Sequence, residues 1–145
     1  MTRRIVLSSV LAVSLCATSA FAADVKKHLP IESTKKYSSI QSVYESDIAV
    51  YWKGQSHPKV KKNRGTYKTS KRTNGFMKEN EASCAHALAS ALIVLQQRAR
   101  KEGGNAVIDI ISNVHNIEEA SATEYTCLVG SMMVNVALKG TVATL

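Results

Sequence analysis

Between Asn80 and Gly104 the apolar positions recur with a helical period. At about 100° per residue, Cys84, Leu88, Ala91 and Leu95 form one stripe, with Ala85, Leu92 and Ala99 beside it. His86, Gln96, Gln97 and Arg100 fall on the opposite side, where Ile93 is the one discordant residue. The ends agree with the face. Asn80 is the expected N-cap, and Glu81 sits in a first turn that favours an acid. Arg98, Arg100 and Lys101 crowd a last turn that favours cations, and Gly103-Gly104 supplies the stop.

Elsewhere the pattern alternates. Asp47 to Trp52 predicts a strand with Ile48, Val50 and Trp52 on one face. Gly65 to Ser70 predicts an exposed strand. Asn105 to Ser112 is nearly continuous in apolar residues, which suits a central strand, with Asp109 as a candidate buried acid. Tyr125, Cys127 and Val129 share one face of a further strand. Met132, Val134, Val136, Leu138 and Val142 share one face of the last, expected antiparallel to it. Residues 23–45 have few apolar positions and read as a partly flexible extension. A short helix is expected to begin at Leu29-Pro30-Ile31, since a first turn tolerates proline. The expected fold is therefore α+β: one long amphipathic helix packed on a small, mostly antiparallel sheet, with residues 46–145 as a single domain.

The first residues carry an address. Arg3 and Arg4 precede an apolar run from Ile5 to Leu15, and Ala20-Phe21-Ala22 has the small-x-small form of a cleavage site. This predicts a signal peptide over residues 1–22, cut after Ala22, and a bacterial periplasmic or secreted protein. Leu15 is a poor neighbour for lipidation of Cys16, which is expected to leave with the leader. The formal charge of +8 falls to +6 when Arg3 and Arg4 are removed, and the chain stays basic. No other run reads as a membrane span. Of three cysteines, Cys84 and Cys127 remain, an even pair that predicts a disulfide in an oxidising compartment.

The positive charge is concentrated in residues 53–78, which contain nine lysines and arginines and no acid. Lys59, Lys61, Lys62, Arg64, Lys68, Lys71 and Arg72 lie there, with Tyr67 placed to stack on a ring. These are the candidate anion-binding residues. The plainer reading is a solvated edge strand guarded by lysines. The expected partner is a polyanion (lipopolysaccharide, anionic lipid or nucleic acid bound without regard to sequence) or an envelope protein. No glycine-rich phosphate loop and no Gly-x-Ser-x-Gly elbow occurs. Cys84 and His86 point roughly 200° apart on a helix and cannot share a metal. No catalytic residue, metal ligand or cofactor is assigned.

Three runs carry a family likeness: NRGTYKTSKRTNGFMK at 63–78, ALIVLQQRARKEGGNAVIDI at 91–110, and SATEYTC with VALKGTV within 121–142. Together they resemble small exported bacterial proteins that carry the label "excinuclease ATPase subunit", after the ATP-hydrolysing component of the excinuclease ABC system. The label implies a DNA-repair ATPase. The chain departs from it in having no nucleotide-binding loop, no zinc-finger cysteine pairs, and an export signal. The helix followed by Gly-x-Asn-Ala-Val and a late strand also resembles the YbjQ-like heavy-metal-binding family and the Rcs-pathway envelope-stress lipoprotein. That resemblance implies a disulfide-stapled α+β domain with an envelope role, although the chain lacks the lipid anchor of the latter. It assigns no site residue.

Overall fold

The structure, a computed structural model, describes residues 22–145. The signal-peptide reading, apart from Ala22, lies outside them, as does Cys16. The element order is β1 (Val25–Pro30), α1 (Ser38–Tyr44), β2 (Ala49–Trp52), β3 (Lys62–Asn74), α2 (Asn80–Lys101), β4 (Ala106–Ser112), β5 (Glu124–Val129) and β6 (Met133–Thr144). Short 3₁₀ turns cover Glu32–Lys36 and Val114–Asn116. The fold is α+β. Among the described residues it has two α-helices and one curled six-stranded sheet in the order β1-β5-β6-β4-β2, β3 pairing with β6. The sheet is thus larger than the expected one, and α1 is a second helix beside the long one. Strands β2 and β4 run parallel; the other pairings are antiparallel.

Helix α2 supplies most of the core. Cys84, Leu88, Ala91, Leu92, Leu95 and Ala99 are buried against Val107, Ile110, Tyr125, Val134, Val136, Leu138 and Val142. Its N-cap is Glu79 rather than Asn80. Its C-terminus closes as the glycines require: Gly103 has φ +72°, Gly104 N–H donates to Ala99 O (2.8 Å) and Gly103 N–H to Arg100 O (3.1 Å). Gly104 serves a different need, since a Cβ there would stand 2.6 Å from a Val142 methyl.

The N-terminal segment is part of the domain. Val25–Pro30 pairs with β5 over six residues, so Pro30 ends a strand instead of opening a helix. Ile31, Ile40 and Val43 are buried, and α1 packs on α2. Three apolar side chains suffice because α1 and the preceding turn cover a second side of α2. That contact buries Gln96, which the helical pattern assigns to the solvent side. Its amide donates to Val43 O (2.9 Å) and Ile48 O (2.8 Å), holding the corner between α1 and β2.

Strand β6 organises the sheet. Strand β3 lies along the whole of one edge, while the other edge is shared by β4 and β5. Strands β5 and β6 are antiparallel, but only Leu128–Asn135 and Val129–Val134 pair between them. In β4 the register against β6 shifts between Ile108 and Ile111, and Asp109 sits there with φ 51°. The bulge turns Asp109 out to solvent, where the near-continuous apolar run suggests burial. Cys84 and Cys127 form a disulfide with Cα atoms 5.9 Å apart, joining α2 to β5. Among the described residues no helix is long and apolar enough to cross a membrane.

Candidate anion-binding groove

The strand period divides the basic segment between two faces. In β3, Thr66, Lys68, Ser70, Arg72 and Asn74 are exposed, while Tyr67, Thr69, Lys71 and Thr73 are half-buried on the side of α2. The segment is also long. From Lys62 to Arg72 it extends about 33 Å at the usual strand rise.

Its residues therefore do different things. Lys59, Lys61 and Lys62 are exposed near the chain's C-terminal end, where Lys61 Nζ donates to Leu145 O (3.1 Å). Arg64 donates from Nε to Thr144 Oγ1 (2.7 Å) and from Nη1 to Glu102 O (2.8 Å), capping a terminal carbonyl of α2. The Tyr67 hydroxyl donates to Arg64 O (3.0 Å), and the Arg98 guanidinium covers its ring at 4.2 Å from the centroid. The ring is occupied and is not offered to a ligand. Lys71 faces the helix side. Only Lys68 and Arg72 share the outer face with neighbouring polar groups.

Those neighbours come from β6 and from the loop after β4. Arg72 pairs with Asn135, and Lys68 with Lys139. Asn113 N–H donates to Ala137 O (2.8 Å), and Val114 packs with Ala137 and Leu128. The loop is thus laid across β6. It returns to the sheet at Glu119, whose backbone bridges Ser112. The Glu119 carboxylate accepts from Thr126 Oγ1 (2.7 Å) and Lys26 Nζ (2.9 Å). These two hydrogen bonds, Thr126 first, hold its pKa below the ordinary glutamate value. Between these anchors His115 and Asn116 both adopt left-handed backbone, φ 54° and 61°. Histidine and asparagine tolerate that region better than most residues, and such strain concentrates at functional sites.

The result is a groove of two adjoining cavities. One, of about 250 Å³, is lined by Asp24, Arg72, His115, Asn135 and the β5–β6 turn. The other, of about 340 Å³, adds Lys68, Ser70, Asn113 and Asn116. Arg72 belongs to none of the six ion pairs among the described residues. Among the described residues the Lys68 ammonium hydrogen-bonds to Asn116 Oδ1 (3.3 Å) and joins no ion pair. Asn113 is 5% exposed, and its Oδ1 has no hydrogen-bond partner among the described residues. A buried amide oxygen left this way costs on the order of 1–3 kcal/mol. Beyond Lys139, Glu118 pairs with that lysine, and Lys139, Lys68 and Lys53 all act to hold its carboxyl below the ordinary range.

The groove thus combines two residues of the basic segment with Asn113, His115, Asn116 and Asn135, which sequence reasoning did not select. The His115-Asn116 pair is the one local signal, since both residue types favour left-handed turns. Among the described residues no three His, Cys, Asp or Glu side chains converge as metal ligands would. No family model matches the chain, and no curated protein or solved structure does either.

Proposed function

We propose that this chain is an exported, non-catalytic binding domain, and that the groove between β3 and the loop after β4 receives an anionic group of its partner. One observation carries the reading. Arg72 and Lys68 stand on one face, outside the ion pairs of the described residues, beside the unpartnered buried oxygen of Asn113. The cations supply the attraction for an anion. The disulfide and the basic charge fit an oxidising, extracytoplasmic compartment rich in anionic surfaces.

The test is retention on a heparin column with a salt gradient. The paired substitution Lys68→Ala with Arg72→Ala should shift elution to clearly lower salt. The triple substitution Lys59→Ala, Lys61→Ala and Lys62→Ala, which removes more charge at the far end of the strand, should shift it less. A wild type that elutes at low salt, or an effect that follows charge count alone, refutes the groove.

A further inference from the structure

Large apolar side chains are exposed mainly at one end of the molecule. Of the seven such residues among those described, Val25, Phe76, Met77, Met132 and Met133 belong to two neighbouring turns and the strand start beside them. Phe76 is 51% exposed, Met77 89%, Met132 59% and Met133 44%, values that leave much of each available to a partner. The turns are fastened together. Gly75 N–H donates to Met132 O (2.9 Å), Asn74 pairs with Met133, and a Cβ on Gly75 would stand 2.9 Å from a Val134 methyl. Phe76 N–H donates to Asn74 Oδ1 (2.8 Å), and Met77 is held at φ 55°. The apolar tip is therefore a feature of the folded chain.

Its position relates it to the groove. Met132 and Met133 line the same cavity as Arg72 and His115, and Lys78 follows Met77. Asp24 also faces that cavity, the one acid lining it against these cations. An apolar projection with cations set just behind it matches an anionic bilayer: acyl chains beneath, phosphates above. A second copy fits worse, because tip-to-tip contact would bring Arg72 and Lys78 against their equivalents on a strongly basic chain.

From this we infer that the protein docks on an anionic phospholipid surface, with Phe76, Met77, Met132 and Met133 entering the headgroup boundary. The lipid phosphate lies on Arg72. The inference rests on the groove reading and names its partner.

Vesicles of phosphatidylcholine alone, and with three-tenths phosphatidylglycerol, test it by co-flotation. Wild type should float with the phosphatidylglycerol vesicles and not with phosphatidylcholine. The double substitution Phe76→Ser with Met77→Ser should weaken that partition at least ten-fold while leaving heparin elution unchanged. Met132→Ser, on the other turn, should weaken it in the same direction. Heparin retention by a wild type that ignores both vesicle types overturns the lipid inference and leaves the groove standing. Loss of both overturns the two together. A dimer in sedimentation equilibrium that the serine substitutions dissolve, with vesicle binding unaltered, overturns the inference in favour of a second copy.

Discussion

Arginine 64 illustrates how a residue's neighbours decide its role. In the sequence it is one cation among nine, while in the structure its two bonds join the end of α2 to the end of β6. Gly103 beside it is required by its backbone, φ 72°, rather than by space, since a Cβ there would make only an ordinary 3.4 Å contact with the Arg64 Nη1. Arg64→Ala would leave the Glu102 carbonyl and Thr144 hydroxyl without this donor. Hydrogen bonds to a charged group are worth about 1.5–3 kcal/mol each, with exposure reducing the sum here to about 2 kcal/mol. Denaturant unfolding should therefore register a loss of that order, while heparin elution barely moves. Equal effects on both would return Arg64 to the binding surface. Tyr67 belongs to the same assembly through its bond to the Arg64 carbonyl. Neither partner is visible from residue order, because the contacts span 38 and 80 positions.

At the scale of elements, the long periodic ones were legible and the weakly patterned ones were not. Helix α2 and the alternation of β5 and β6 follow from 3.6- and 2-residue periods that burial rewards directly. Strand β1 carries VKKHLP, with Leu29 as its main apolar contribution to the core, so composition alone suggests a tether. Its order comes from pairing with β5, a non-local contact. The loop between β4 and β5 is similar: its sequence is polar, yet its clamp fixes half of the groove. The Glu119 carboxyl titrates below its ordinary value of 4.5 in the fold. Its contribution to stability is therefore present above that value and is lost as pH falls through the folded pKa. Glu119→Gln should lower the melting temperature near neutral pH and flatten its decline below about pH 5. Residual slope is expected, since Asp47 and Glu118 are also held down by cation partners, Arg100 and Lys139. Melts that parallel the wild type through the acid range would show that the clamp contributes nothing. The same variant should elute earlier from heparin if a fixed loop matters to the groove.

For the whole molecule, the sheet has one weak joint. The β1–β5 ribbon is paired internally over six residues, but meets β6 through only two residue pairs. The Cys84–Cys127 bond crosses that joint from below, fixing β5 to the buried face of α2. Both cysteines are fully buried, so the bond also belongs to the core. Its sequence separation is 43 residues, for which loop-closure entropy gives a stabilisation of roughly 4 kcal/mol. That is a large share of an ordinary domain's stability. Cys84→Ser and Cys127→Ser should each lower the melting temperature by on the order of 15 °C, and the double variant should match the singles because one bond is lost in every case. Hydrogen exchange should show where the damage falls: amides of β1 and β5 should lose protection before those of β3, β4 and β6. The groove loop is anchored to this ribbon through Thr126 and Lys26, so anion retention should weaken in parallel. Two alkylatable thiols in unreduced wild type, or a melting temperature unchanged in the single variants, would refute the role given to the bond.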